Sequence, residues 1–77
     1  MSLDTAPQGE SMLVIRVATD DKTRRHLENL GIMSGAEVTS LSRNDGNTIV
    51  RVRDSRIALN KEIANGILVR KMPNFGS

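Results

Sequence analysis

Cysteine, tryptophan and tyrosine are absent from this 77-residue chain, and phenylalanine occurs once, at Phe75. Without cysteine, no disulfide can staple the fold and no thiolate can hold a zinc ion. A chain this short buries only about 60% of the surface its unfolded form exposes, so its core is thin. Stability must therefore come from aliphatic packing and turn chemistry, and the 38% hydrophobic content is nearly all Val, Ile, Leu, Met and Ala. The shortage of aromatics also bears on partners. Single-stranded nucleic acids stack their bases on aromatic rings, and grooves for proline-rich peptides are lined by them; one phenylalanine argues against both uses. Charge of one sign is scarce too, with 11 Lys plus Arg against 9 Asp plus Glu, a net charge of +2. That surplus is not the clustered basic face of a DNA-binding domain. No apolar run approaches the ~20 residues of a membrane helix. Met1 to Gln8 lacks the basic start and apolar stretch of an export signal, so a cytoplasmic location is expected.

The pattern that is present is one of short strands. Met1 to Gln8, containing Pro7, is expected to be a flexible arm, residues 9–71 a single domain, and 72–77 a tail. Met12 to Val17 is a β-branched run too short for a stable helix and fits a strand. Asp20-Asp21 offers a helix N-cap. Thr23, Leu27 and Leu30 then form a stripe at i, i+4 and i+7. Gly31 suits a left-handed helix end, with Ile32 packing back on Leu27 as in a Schellman motif. Glu37 to Arg43 and Thr48 to Arg53 read as strands around Asn44-Asp45-Gly46-Asn47, in which Asp-Gly favours a tight primed turn. Val38 and Leu41 fall on opposite faces of a regular strand, and a β-bulge would turn both inward. Asp54-Ser55 is taken as the next two-residue turn, pairing Arg53 with Arg56 and Val52 with Ile57 on the way to Leu59. Asn60 caps one helical turn that Gly66 ends, and Ile67 to Val69 is the last strand. About five short strands with one short α-helix and a short helical turn predict a mainly-β fold, a small barrel closed enough to hide its edges.

The stretch Arg25-His26-Leu27-Glu28-Asn29-Leu30-Gly31-Ile32-Met33-Ser34-Gly35-Ala36-Glu37-Val38 resembles a signature of the ferrous iron transport protein A (FeoA) family. So do Val50-Arg51-Val52-Arg53, Ile57-Ala58-Leu59, and Glu62-Ile63-Ala64 with Ile67-Leu68-Val69. The resemblance runs over residues 9–71. It implies an SH3-like barrel that assists bacterial ferrous iron uptake by binding the cytosolic domain of a FeoB-type permease, reaching the membrane only through that partner. The same domain type lies at the C-terminus of iron- or manganese-responsive repressors. A stand-alone regulatory domain is therefore the alternative, and a self-associating module a further one. The hairpin Arg43 to Thr48 is shorter than in many members of the family, which leaves the choice of partner open.

No chemistry stands out. His26 is isolated and the four methionines are scattered, so no metal or cofactor site is expected. Met33 reads as core filler at a helix end, and Asp20 and Asp21 as cap residues. No nucleophile has a base and an orienting third group, and no glycine loop is followed by Gly-Lys-Ser/Thr; the chain is expected not to be an enzyme. Two basic sets are candidates for partner binding. Lys22, Arg24 and Arg25 sit in the first turn of the helix, where cations oppose the helix dipole; a solvated face paired through Arg24 and Glu28 is the competing explanation. Arg51, Arg53 and Arg56 share an outer face of the meander, where like charges oppose one another; edge protection by charge is the competing explanation there.

Overall fold

The structure, a computed structural model, describes residues 1–72. The expected tail from 73 onward, with Phe75, lies outside the described residues. The elements follow the order read from the sequence: β1 (Ser11–Val17), α1 (Asp21–Asn29), β2 (Glu37–Asn44), β3 (Asn47–Val52), β4 (Ser55–Asn60), α2 (Lys61–Gly66) and β5 (Ile67–Lys71). The five strands form one antiparallel sheet in the order β4-β3-β2-β1-β5. β5 runs two residues past Val69 because Arg70 and Lys71 pair with Leu13 and Met12. α2 packs against β3, β4 and β5 and so spans the gap between the two edge strands. Alternate residues point into the barrel thus formed. Val14, Val38, Val50, Ile67 and Val69 are each at most 1% exposed.

The end of α1 forms as the sequence indicates. Gly31 has φ +96°. Its N–H donates to the Glu28 carbonyl at 3.0 Å, and the Ile32 N–H donates to the Leu27 carbonyl at 2.8 Å. These are the two bonds of a Schellman motif, and Leu27 and Ile32 are both buried. The stripe is narrower than expected. Leu30 is the C-cap residue and, with the helix already ended, it turns outward and is exposed. At α2, Asn60 caps as expected, its Oδ1 accepting from the Ile63 N–H at 2.8 Å. Gly66 is the last residue of α2 and has a further role there. A Cβ there would lie 2.8 Å from the Ala18 carbonyl oxygen, so glycine allows α2 to abut the link after β1.

One hairpin register is corrected, and the β2 bulge is placed differently. The first hairpin turns on Asp45 (φ 52°) and Gly46 (φ 79°), as Asp-Gly favours. The second turns on Arg53-Asp54 rather than Asp54-Ser55, so Arg51, not Arg53, pairs with Arg56, and Val50 pairs with Ile57. Sliding the partner strand by two residues keeps every side chain on its face, so hydrophobic alternation is blind to the difference. The expected β2 bulge is present, but Leu41 is itself the extra residue, between Ser40 and Ser42, and is only half-buried. A second bulge in β1 leaves Ile15 unpaired between Val14 and Arg16.

The segment read as an arm is packed onto the barrel. Leu3 and Ala6 are buried. The Leu3 N–H donates to the Ile67 carbonyl at 2.8 Å, and the Val69 N–H to the Met1 carbonyl at 2.7 Å, which pairs the outer edge of β5. The Arg43 guanidinium donates to the Leu3 and Ala6 carbonyls at 3.2 and 2.6 Å and ties the segment to β2.

Candidate functional site

The link between α1 and β2 shapes one wall of a surface groove. Ile32 anchors it in the core. Three hydrogen bonds then bind it to β1: the Gly35 N–H to the Val14 carbonyl at 2.8 Å, the Val14 N–H to the Ala36 carbonyl at 2.9 Å, and Ser34 Oγ to the Ile15 carbonyl at 2.9 Å. Gly35 holds φ +90°, which a side chain would strain. With both ends of the turn fixed, Met33 is forced outward and is 39% exposed. It is therefore not the core filler expected.

Between this link and the β3–β4 turn lies an open groove of about 940 Å³, bordered by Met33, Glu37, Arg51, Arg53, Asp54 and Arg56. The three arginines reach it from one hairpin. Arg51 and Arg56 face each other across the ladder, and Arg53 occupies the turn itself. Arg53 has φ +56°, a left-handed backbone that non-glycine residues rarely adopt. Glu37 and Asp54 border the same groove, yet among the described residues no carboxylate lies within 4.0 Å of any of these three guanidinium groups.

The helical basic set divides. Arg24 is engaged by Asp21 at 2.9 Å and approaches Glu28 at 3.9 Å. It borders a smaller hollow of about 250 Å³ with Arg16 and Glu28. Lys22 and Arg25 are exposed on α1 and line neither hollow. Met33 and Ser34 line both hollows, so the groove and the hollow meet at an exposed thioether. Sequence reading missed Arg16 and Met33. Arg16 falls beside the β1 bulge, and Met33 is turned out by hydrogen bonds distant in sequence, so neither carries a local signal.

Asp20 caps α1, its Oδ1 accepting from the Thr23 N–H at 3.2 Å. Its carboxyl is held below the usual carboxylate range, first by the Thr23 side chain, then by backbone N–H groups, with Lys22 adding to this. His26 is exposed. Among the described residues, no three His, Cys, Asp or Glu side chains gather as a metal cluster, and no helix is long and apolar enough to cross a membrane.

A curled five-stranded sheet, plugged by a helical turn and grooved beside its second hairpin, defines an SH3-like barrel domain. The model of the FeoA domain family matches residues 1–71, and the chain belongs to that family. The solution structure of a FeoA protein from Chlorobium tepidum superposes with TM-score 0.87 at 25% identity, over 95% of this chain and 71% of that one. The crystal structure of an iron uptake regulatory protein, also a FeoA, superposes with TM-score 0.81 at 26% identity, over 94% and 96%. A manganese-dependent transcriptional repressor shares the fold with TM-score 0.84 at 21% identity, this chain spanning 41% of its length. No curated protein sequence matches.

Proposed function

We propose that this chain is a non-enzymatic accessory protein of bacterial ferrous iron uptake, acting in the cytoplasm by docking on the cytosolic domain of a FeoB-type permease. Membership of the FeoA family supports the pathway. The observation that carries the docking reading is the groove, where Arg51, Arg53 and Arg56 are gathered without a carboxylate in ion-pair range among the described residues. Opposed like charges weaken a free sheet, and an acidic partner surface would relieve them while steering association. No metal or cofactor is assigned to the chain.

Calorimetric titration against the purified cytosolic domain of the permease, once with GDP and once with a non-hydrolysable GTP analogue, tests the proposal. Saturable heat in either state is expected. Silence in both, at concentrations that reach a Kd of about 1 mM, would defeat it. The fold shared with the manganese-dependent repressor favours a second reading, a stand-alone regulatory domain. Binding to a winged-helix repressor fragment, with none to the permease domain, would select it.

A further inference from the structure

We infer that the groove and the adjoining hollow form one continuous docking track for an extended acidic peptide segment of a partner protein, with one apolar side chain of that segment seated on Met33. The inference rests on the reading that the chain acts by docking, and adds which face docks and what it receives. Arg51, Arg53 and Arg56 border the track on one side of Met33, and Arg16 and Arg24 on the other. Arg43, by contrast, is committed to the fold through two backbone carbonyls and lies outside the track.

Three observations select the occupant. Guanidinium groups bind carboxylates by paired, charge-assisted hydrogen bonds, and those of Arg51, Arg53 and Arg56 have no such partner within 4.0 Å among the described residues. Glu37 and Asp54 on the groove, and Glu28 on the hollow, break up the positive field. A uniform polyanion such as a nucleic acid backbone would be repelled where it passed these carboxylates. A peptide can place its acidic residues against the arginines and leave the intervening positions neutral. Finally, Met33 is an exposed, unbranched and polarizable contact at the junction, suited to a side chain of variable shape. The backbone strain at Arg53 fits the same use, since strained residues persist at ligand clamps.

The test uses the full chain and a fluorescein-labelled ten-residue peptide with Asp or Glu at alternate positions and one central Leu. Its affinity is followed by anisotropy at about 50 and 150 mM salt. Binding that weakens with salt is expected. The double variant Arg51→Glu/Arg56→Glu should lose at least about tenfold, and Met33→Ser several-fold, because each removes one part of the recognition. Lys22→Glu/Arg25→Glu makes the same change in net charge outside the track and should lose less than about twofold. The neutral pair Arg51→Gln/Arg56→Gln, with circular dichroism matching the parent, guards against misfolding of the charge-reversed protein. Equal loss in the groove and helix variants would reduce the effect to net charge and overturn the proposal. So would undiminished binding by the groove variants, or no binding by the parent chain. The same variants against the permease domain separate the two claims. Loss of peptide with retention of the permease leaves the track intact and moves the permease elsewhere. Peptide binding with no permease binding leaves the track and removes the accessory role.

Discussion

Replacing Arg53 by glycine should make the protein more stable and less able to dock. Arg53 is the first residue of the β3–β4 turn and holds φ +56°. For an L-residue this backbone region costs about 1–2 kcal/mol, which glycine does not pay. Glycine in turn loses more freedom on folding, worth about 0.4–1 kcal/mol against it. The Arg53 side chain is exposed and makes no ion pair within 4.0 Å among the described residues, so its removal forfeits little packing. The net is a gain of about 0.5–1 kcal/mol. In a domain of this size that is a rise in Tm of about 3–6 °C. Reversible thermal unfolding followed by circular dichroism, with urea denaturation as a second measure, reads this directly. Affinity for the acidic peptide should fall in the same variant. An unchanged or lower Tm would refute the claim that the turn is strained.

Leu3→Ala should cost about 2–3 kcal/mol in urea denaturation, because Leu3 is fully buried; an arm lying outside the core would give almost no change. Ser40→Ala should stabilise by about 1 kcal/mol, since the buried Ser40 hydroxyl has no hydrogen-bond partner among the described residues; a loss of stability would contradict this. The lowered Asp20 carboxyl pKa adds stability that is present above the ordinary carboxylate pKa and lost as pH falls through the lowered folded value. The stability difference between the parent and Asp20→Asn should therefore shrink on acidification, and a constant difference down to about pH 2 would contradict the assignment.

Much of the architecture is legible in the residues because local chemistry and hydrophobic alternation agree. The Leu27–Gly31–Ile32 helix end and the Asp45-Gly46 turn form where their residue types require them. The second hairpin slips by two because alternation fixes faces but not partners, and nothing in Arg53-Asp54 signals a left-handed residue. The N-terminal segment was unreadable for another reason. Its two buried side chains, Leu3 and Ala6, are too few to set a period, and the hydrogen bonds that fasten it run to distant Ile67, Val69 and Arg43. The site was legible in part. Arg51, Arg53 and Arg56 all border one groove, Arg51 and Arg56 from paired strand positions and Arg53 from the turn. Lys22, Arg24 and Arg25 are not gathered on one hollow: Arg24 pairs with Asp21 and borders the smaller one, while Lys22 and Arg25 line neither. Met33 joins the site only because the 31–36 link is fastened to β1, a contact between distant parts of the chain.

The most direct measurement of whether this protein works by docking is a nitrogen-15 correlation spectrum of the chain, titrated with the cytosolic domain of the FeoB-type permease in its GDP and GTP-analogue states. Docking predicts saturable shifts or broadening in at least one state, concentrated at Gly31 to Ala36 and Arg51 to Arg56. A spectrum unchanged in both states, up to about millimolar partner, would contradict it.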